Sequence, residues 1–337
     1  MKQQASGIEI NRMENTNLNR SASIIVNTCL NVKKGEVIAV LCDFPNLKIG
    51  EALGKQIQKC QAEAVMAVFP PRKAHGENPP QAAIAALNCA DGAILAGTYS
   101  LASSPARIDA TANGIRIINI PACSEDVFNS KAMQIDFLKE RSSVECLQKI
   151  LEESTSIHIS SSSGTDLTVG LCGRKGVPQT GLAHNPGEWS PAPNIEAAIG
   201  PAMDKVDGVL VVDGVLIPGG IPTEPVEIVI SGGKIVKING GEDAVTFRKL
   251  LESYNNPNMY QIVELGFGLN PNSELGLGIM AEDESKKGTV HFGIGEGRTF
   301  GLDNIAPAHF DLVILSPTVC ADGQTILKNG KYIIKGI

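Results

Sequence analysis

The first third of the chain alternates between two patterns. Short apolar runs that end on a polar or turn-forming residue, Val37–Asp43 (VIAVLCD), Glu63–Pro70 (EAVMAVFP), Asp91–Gly97 (DGAILAG) and Ile115–Pro121 (IRIINIP), alternate with stretches whose apolar positions fall at helical intervals. Ile49, Leu53 and Ile57 mark the first of those stretches, QAAIAALNCA the second and SSPARIDATANG the third. Continuously apolar runs are strands buried on both faces, and the helices between them carry the chain back, so the pattern predicts a doubly wound parallel sheet. Upstream, Ile8, Ile10, Met13, Leu18, Ile24, Ile25 and Leu30 keep helical spacing and predict one or two helices.

After a helical stretch from Met133 to Ser154 the texture changes. Short strands separated by Gly, Asn, Asp and Pro take over: SIHISSSSGTDLTVGL, GVLVVDGVL, VEIVISGGKIVKING, GTVHFGIG and HFDLVIL. A tight hairpin is expected around Ser231-Gly232-Gly233-Lys234, where glycine supplies positive φ, and one helix over Ala244–Asn256. The 337 residues exceed one ordinary core. The architecture predicted is therefore an α/β N-terminal domain, residues 1–150, with a doubly wound parallel sheet, followed by a β-rich α+β C-terminal domain, residues 151–337.

Composition narrows the function. A net charge of −7 argues against a surface for phosphates, so no nucleic acid is expected as a partner. No apolar run reaches the length that spans a bilayer, so no membrane is expected either. The N-terminal residues lack the basic start and apolar middle of a secretory signal, which predicts a cytoplasmic protein. Eight cysteines without a C-x-x-C spacing read as reduced thiols. Strand ends at Asp43 and Tyr99 could face a ligand, but no G-x-G-x-x-G accompanies them, and no dinucleotide cofactor is expected.

Candidate chemistry gathers late in the chain. His309 and Asp311 form a His-x-Asp pair at the start of an apolar strand, and residues two apart in a strand share a face, so both can grip one ion. His291 sits in a second strand, GTVHFGIG. Two imidazoles and a carboxylate suit a divalent transition metal. Glu188 lies in a Pro-Gly-rich loop, NPGEWSPAP, with the only Trp, and Glu264 follows an apolar run in IVELGFGLNP.

GEVIAV, GTDLTV, PGEWSPAP, ELGFGLNP, GTVHFGIG and the late HFD…PTV…DG…G stand here in the order found in the thermophilic metallo-aminopeptidases typified by aminopeptidase T and aminopeptidase S. The resemblance runs from about Gly35 to the C-terminus. It implies a homodimer whose C-terminal domain is the metal-binding one, with a dinuclear site on Glu188, Glu264, His291, His309 and Asp311. The function it implies is hydrolysis of a peptide or small amide by metal-activated water, with zinc, manganese or cobalt. Arg298 stands where those peptidases carry a Tyr, seven residues after the metal-binding His. Arg298 could stabilise an oxyanion, and Glu296 beside it could act as acid or base.

Only eighteen residues separate His291 from His309, a compactness that resembles the sister branch of 2,5-dihydroxypyridine dioxygenases. That branch implies a mononuclear Fe(II) ring-cleaving dioxygenase with iron on His291, His309 and Asp311. A third alternative is a non-catalytic binding protein that keeps a metal-shaped pocket. One or two divalent ions and a small-molecule or peptide substrate are thus the expected ligands.

Overall fold

The structure is a computed structural model that describes residues 17–337. The helices expected between Ile8 and Leu30 lie partly outside the described residues. Within them, residues 17–23 are α-helical and pass into a π-helical turn, Ile24–Cys29. The chain forms two compact units, one of the residues up to Leu138 with Thr180–Pro193, the other of Lys139–Gln179 with Asn194–Ile337. None of the described helices is long and apolar enough to cross a membrane.

In the first unit, strands β1 (Val37–Asp43), β2 (Glu63–Phe69), β3 (Gly92–Ala96) and β4 (Arg116–Asn119) form a wholly parallel sheet in the order β2-β1-β3-β4. Helices Leu47–Lys59, Gln81–Asn88 and Pro105–Ala112 supply the crossovers, as their apolar spacing predicts. Ala39, Leu41, Leu95 and Ile117 from the strands pack with Leu87, Ala106 and Ala110 in one buried cluster. A fifth parallel strand, Trp189–Pro191, joins the far edge beside β4. The sequence reading set one boundary near residue 150 and left this segment in a loop of the second domain. Its three residues carry no periodicity, and what makes them a strand is the free edge of β4.

The second unit is antiparallel β throughout its two sheets, one of eight strands and one of five. In the larger sheet Ile157 and Ile159 are buried while His158 between them is exposed and meets Asp166 across the strand pair at 2.8 Å. The expected hairpin joins Val226–Ser231 to Lys234–Asn239, with Gly232 at φ 55° and Gly233 at φ 75°. The two glycines differ in their surroundings. A Cβ on Gly232 meets nothing within 4 Å, whereas one on Gly233 would stand 1.5 Å from the carbonyl oxygen of Met203.

This contrast gives a stability test. Gly232→Ala pays only the left-handed backbone cost, about 1–2 kcal/mol, while Gly233→Ala adds a clash with main chain that cannot swing aside. Chemical denaturation should show Gly233→Ala as the more destabilised by at least about 2 kcal/mol, on the scale of severe single substitutions. Equal midpoints for the two variants would contradict the packing described.

Candidate metal centre

The five-stranded sheet carries the site. Its strands are β5 (Gly176–Gln179), β6 (Glu196–Ile199), β7 (Ile262–Gly268), β8 (Val290–Gly295) and β9 (His309–Ile314), in the order β9-β8-β7-β6-β5. Side chains alternate between faces with period two, and the register sorts them cleanly. Leu265, Phe267, Phe292, Ile294, Phe310 and Leu312 fill one face and are buried. The opposite face carries Glu264, Gly293 and Asp311 in one row, Ala198, Gly266, His291 and Val313 in the next, and the pairs Gly295–His309 and Gly268–Glu196 beside them.

The glycines of that face leave room for the imidazoles. A Cβ on Gly266 would stand 2.0 Å from His291 Nε2, and one on Gly293 would stand 2.5 Å from His309 Cε1 and 2.7 Å from Glu264 Oε2. The spacing of ELGFG and HFGIG is thus a packing requirement: each donor has glycine as its neighbour across the strands.

Two donor groups result, and they share Glu264. Glu264, His309 and Asp311 form one; Glu196, Glu264 and His291 form the other. In the first, His309 Nε2 lies 3.0 Å from Glu264 Oε2 and 3.1 Å from Asp311 Oδ1. The other ring nitrogen, Nδ1, lies 2.8 Å from the carbonyl oxygen of Glu296. A carbonyl can only accept, so Nδ1 carries the hydrogen, and the Nε2 lone pair is aimed at two carboxylate oxygens. Three acceptors converging on one point require a positive charge between them. Burial would push the His309 imidazole down, but the charges and hydrogen bonds of Asp311 and Glu264 outweigh it and hold the ring well above its usual range. A divalent cation meets the same requirement, and the mixture of one imidazole and two carboxylates suits it.

In the second group, His291 Nε2 lies 3.4 Å from Glu264 Oε1 and 3.6 Å from Glu196 Oε2. Glu196 Oε2 and His291 Nδ1 are buried without a hydrogen-bond partner. Burial opposes charge on the His291 ring, yet Glu196, Glu264 and Asp311 lift it to about 10. The two groups differ most in access. The side chains of His291 and Glu196 are each 1 % exposed, whereas that of His309 is 26 % exposed, so a small molecule can reach only the group containing His309.

Further residues hold these donors. Glu284, nearly buried, is hydrogen-bonded to Asp311 and accepts from the Asn194 side-chain amide. Burial, and then the charges of Glu196 and Asp311, push its carboxyl well above the ordinary range, so it stays protonated and donates to Asp311. Glu296 fixes the loop above His309, since its carboxylate accepts from the Arg298 guanidinium at 2.6 Å and from the Ala306 amide at 3.0 Å. Arg298 itself is 62 % exposed.

The structure brings together four of the five residues expected to bind metal: Glu264, His291, His309 and Asp311. It divides the expected triad of His291, His309 and Asp311 between two groups. Glu188 lies in the first unit, where its carboxylate accepts from the amides of His184 (2.8 Å) and Asn185 (2.9 Å) and from the Asn185 side chain (2.6 Å). The second donor group adds a carboxylate that the sequence analysis does not single out, Glu196. Its signal was an acidic residue opening a strand of small residues, EAAI. Glu284 gave none, being one acid in the run Glu282-Asp283-Glu284.

An interleaved pair of units, one α/β with a parallel sheet and one β-rich with a carboxylate and imidazole centre, defines a metal-binding scaffold rather than a single chemistry. The sequence model of NicX, 2,5-dihydroxypyridine 5,6-dioxygenase, matches residues 25–334, and the chain belongs to that family. The 2,5-dihydroxypyridine 5,6-dioxygenase of Pseudomonas putida KT2440 is 25 % identical over 263 residues, covering 75 % of this chain and 73 % of the relative. The solved structure of 2,5-dihydroxypyridine dioxygenase from Pseudomonas putida KT2440 superposes with a TM-score of 0.84 at 21 % identity, over 94 % of this chain and 96 % of that one. Wild-type AmpT from Thermus thermophilus superposes with a TM-score of 0.68 at 15 % identity, over 95 % and 100 % of the two chains. The kinship of fold with the aminopeptidases therefore stands. The expectation of a hydrolase, an aminopeptidase or metalloprotease working through metal-activated water, is overturned by the family match, while the expectation of a divalent metal stands. The match also speaks for an enzyme rather than a binding protein.

The role of the glycines is open to direct test. Gly293→Ala should displace His309 and Glu264 and weaken divalent-metal binding by about 10- to 100-fold, the range for disturbed ligand orientation, while far-UV circular dichroism stays unchanged. Equilibrium dialysis against Fe(II) or Mn(II) measures this; undiminished affinity in a folded variant would contradict the geometry.

Proposed function

We propose that the protein is a ring-cleaving dioxygenase of the 2,5-dihydroxypyridine 5,6-dioxygenase type, with one Fe(II) ion held by Glu264, His309 and Asp311 and a small dihydroxylated heteroaromatic ring as substrate. Family membership over residues 25–334 supports the reaction class. The observation that carries the choice of residues is access: His309 is the part-exposed member of the two donor groups, while Glu196 and His291 are sealed.

Glu264 and Asp311 each present one carboxylate oxygen, and His309 presents Nε2 because its Nδ1 is committed to the Glu296 carbonyl. When bound, a ferrous ion would bring ring and dioxygen together and let electron density pass from one to the other. Adding both oxygen atoms across the bond between a hydroxylated ring carbon and its neighbour opens the ring and leaves a carboxylic acid on the first carbon; no atom leaves. Such a ring reacts as an oxyanion, so a hydroxyl proton has to be lost and the negative charge held. Arg298 is the cation that answers this need. Its Nε is paired with Glu296, its Nη groups make no hydrogen bond with any described residue, and it stays charged at any pH the protein tolerates. Glu296, held by Arg298 and the Ala306 amide, acts as a positioning residue for His309 and Arg298 rather than as an acid or base.

Oxygen uptake tests the reading. Protein reconstituted anaerobically with Fe(II) should consume one dioxygen per 2,5-dihydroxypyridine, with about one iron per chain. His309→Ala should lose both iron and turnover, a fall of at least about 100-fold. Arg298→Met should keep the iron and lose about 10- to 1000-fold in kcat/KM, the range for one charge-stabilising contact. No oxygen consumption by iron-loaded protein would sink the proposal.

A further inference from the structure

The first unit contains a largely buried cation to which no described residue supplies an anion. Arg107 lies in the first turn of the helix Pro105–Ala112 and is only 7 % exposed. Its guanidinium carbon sits 4.1 Å above the ring centroid of Trp189, and its Nε donates to the carbonyl oxygen of Ala102. Its two Nη groups make no hydrogen bond or ion pair with any described residue. The other buried arginine of this unit differs in that respect: Arg116 is held bidentately by both carboxylate oxygens of Glu36, at 3.1 and 2.8 Å. Burying a charge without a partner is expensive, and a protein ordinarily avoids it by pairing. Burial lowers the Arg107 pKa to about 10, and no neighbouring charge acts to raise it, so the group is still cationic at neutral pH.

The geometry also describes the missing ligand. A guanidinium held by its Nε and packed on an indole leaves its Nη edge as a planar fork, which matches the two oxygens of a carboxylate. One uncompensated positive charge suits a monoanion. The amides of the same helix turn offer a larger anion nothing, because Ala106 N donates to Asn78 Oδ1 and Arg107 N to Ser104 Oγ. We propose that Arg107 is the receptor for a small monocarboxylate, gripped through the two Nη groups that no described residue fills, with the Trp189 ring as the surface on which the guanidinium packs. The site depends on neither the metal centre nor the dioxygenase reading.

Trp189 is the chain's only tryptophan, so the test has a built-in reporter. Titrating the full chain with sodium acetate or propionate, at ionic strength held constant with chloride, should give a saturable change in indole emission with a Kd of about 1–10 mM, the range of a single ionic contact. Arg107→Met should abolish it. Arg107→Lys, which keeps the charge but not the fork, should weaken it at least about 10-fold and covers the case in which the methionine variant fails to fold. The proposal is overturned by a response that follows salt alone, by an unchanged response in folded Arg107→Met, or by phosphate binding more tightly than the carboxylates.

Discussion

Everything at the metal centre follows from one electrostatic demand: lone pairs of His309 and of the shared Glu264 and Asp311 carboxylates point at one another in a place largely closed to water. Acceptors facing acceptors repel unless a positive charge lies between them, and with so little solvent nothing screens that repulsion. A proton can supply that charge, and so can a divalent ion. The residues behind the donors are arranged so that the lone pairs cannot turn away. The Glu296 carbonyl holds the imidazole by its far nitrogen, and Glu284 is hydrogen-bonded to Asp311.

A β-sheet can meet this demand because of its two-residue period. One face of β7, β8 and β9 is given wholly to packing, with Leu265, Phe267, Phe292, Ile294, Phe310 and Leu312, so the strands are anchored without any help from the site. The opposite face is then free to carry charge, but imidazoles and carboxylates crowd at the spacing of neighbouring strands. Glycine at 266 and 293 removes that conflict. The rigidity of the apolar face and the emptiness beside the donors are two halves of one solution.

That solution explains how much could be read beforehand. His309 and Asp311 were legible because the same-face rule is local, and the parallel strands β1 to β4 because continuous apolar runs between helical stretches leave few alternatives. Pairing partners are not local. Nothing in Trp189-Ser190-Pro191 announces that it completes the first sheet, and nothing in Glu196 announces that β6 lies beside β7, with Glu196 in register with Gly268. Glu188 reads as a ligand because it stands in a loop built on proline and glycine, but the same tight loop turns three hydrogen-bond donors onto its carboxylate.

The hydrolase expectation failed for a related reason. The motifs on which the resemblance to the aminopeptidases rests, ELGFGLNP and GTVHFGIG, contain Glu264, His291 and the glycines at 266 and 293 that make room for the imidazoles, which is the part of the chain that shapes this face of the sheet whatever reaction it serves. They report scaffold, and a scaffold hosts more than one chemistry. The features in which this chain departs from what the resemblance leads one to expect are Arg298, where a tyrosine is expected, and the step of only eighteen positions from His291 to His309. An arginine keeps its own proton, whereas peptide hydrolysis has to deliver a proton to a departing amine; in the dioxygenase reading we propose, Arg298 would instead hold the charge of an anionic ring. Under that reading, the residue that does not suit a peptidase is the one that the loss of a ring hydroxyl proton calls for.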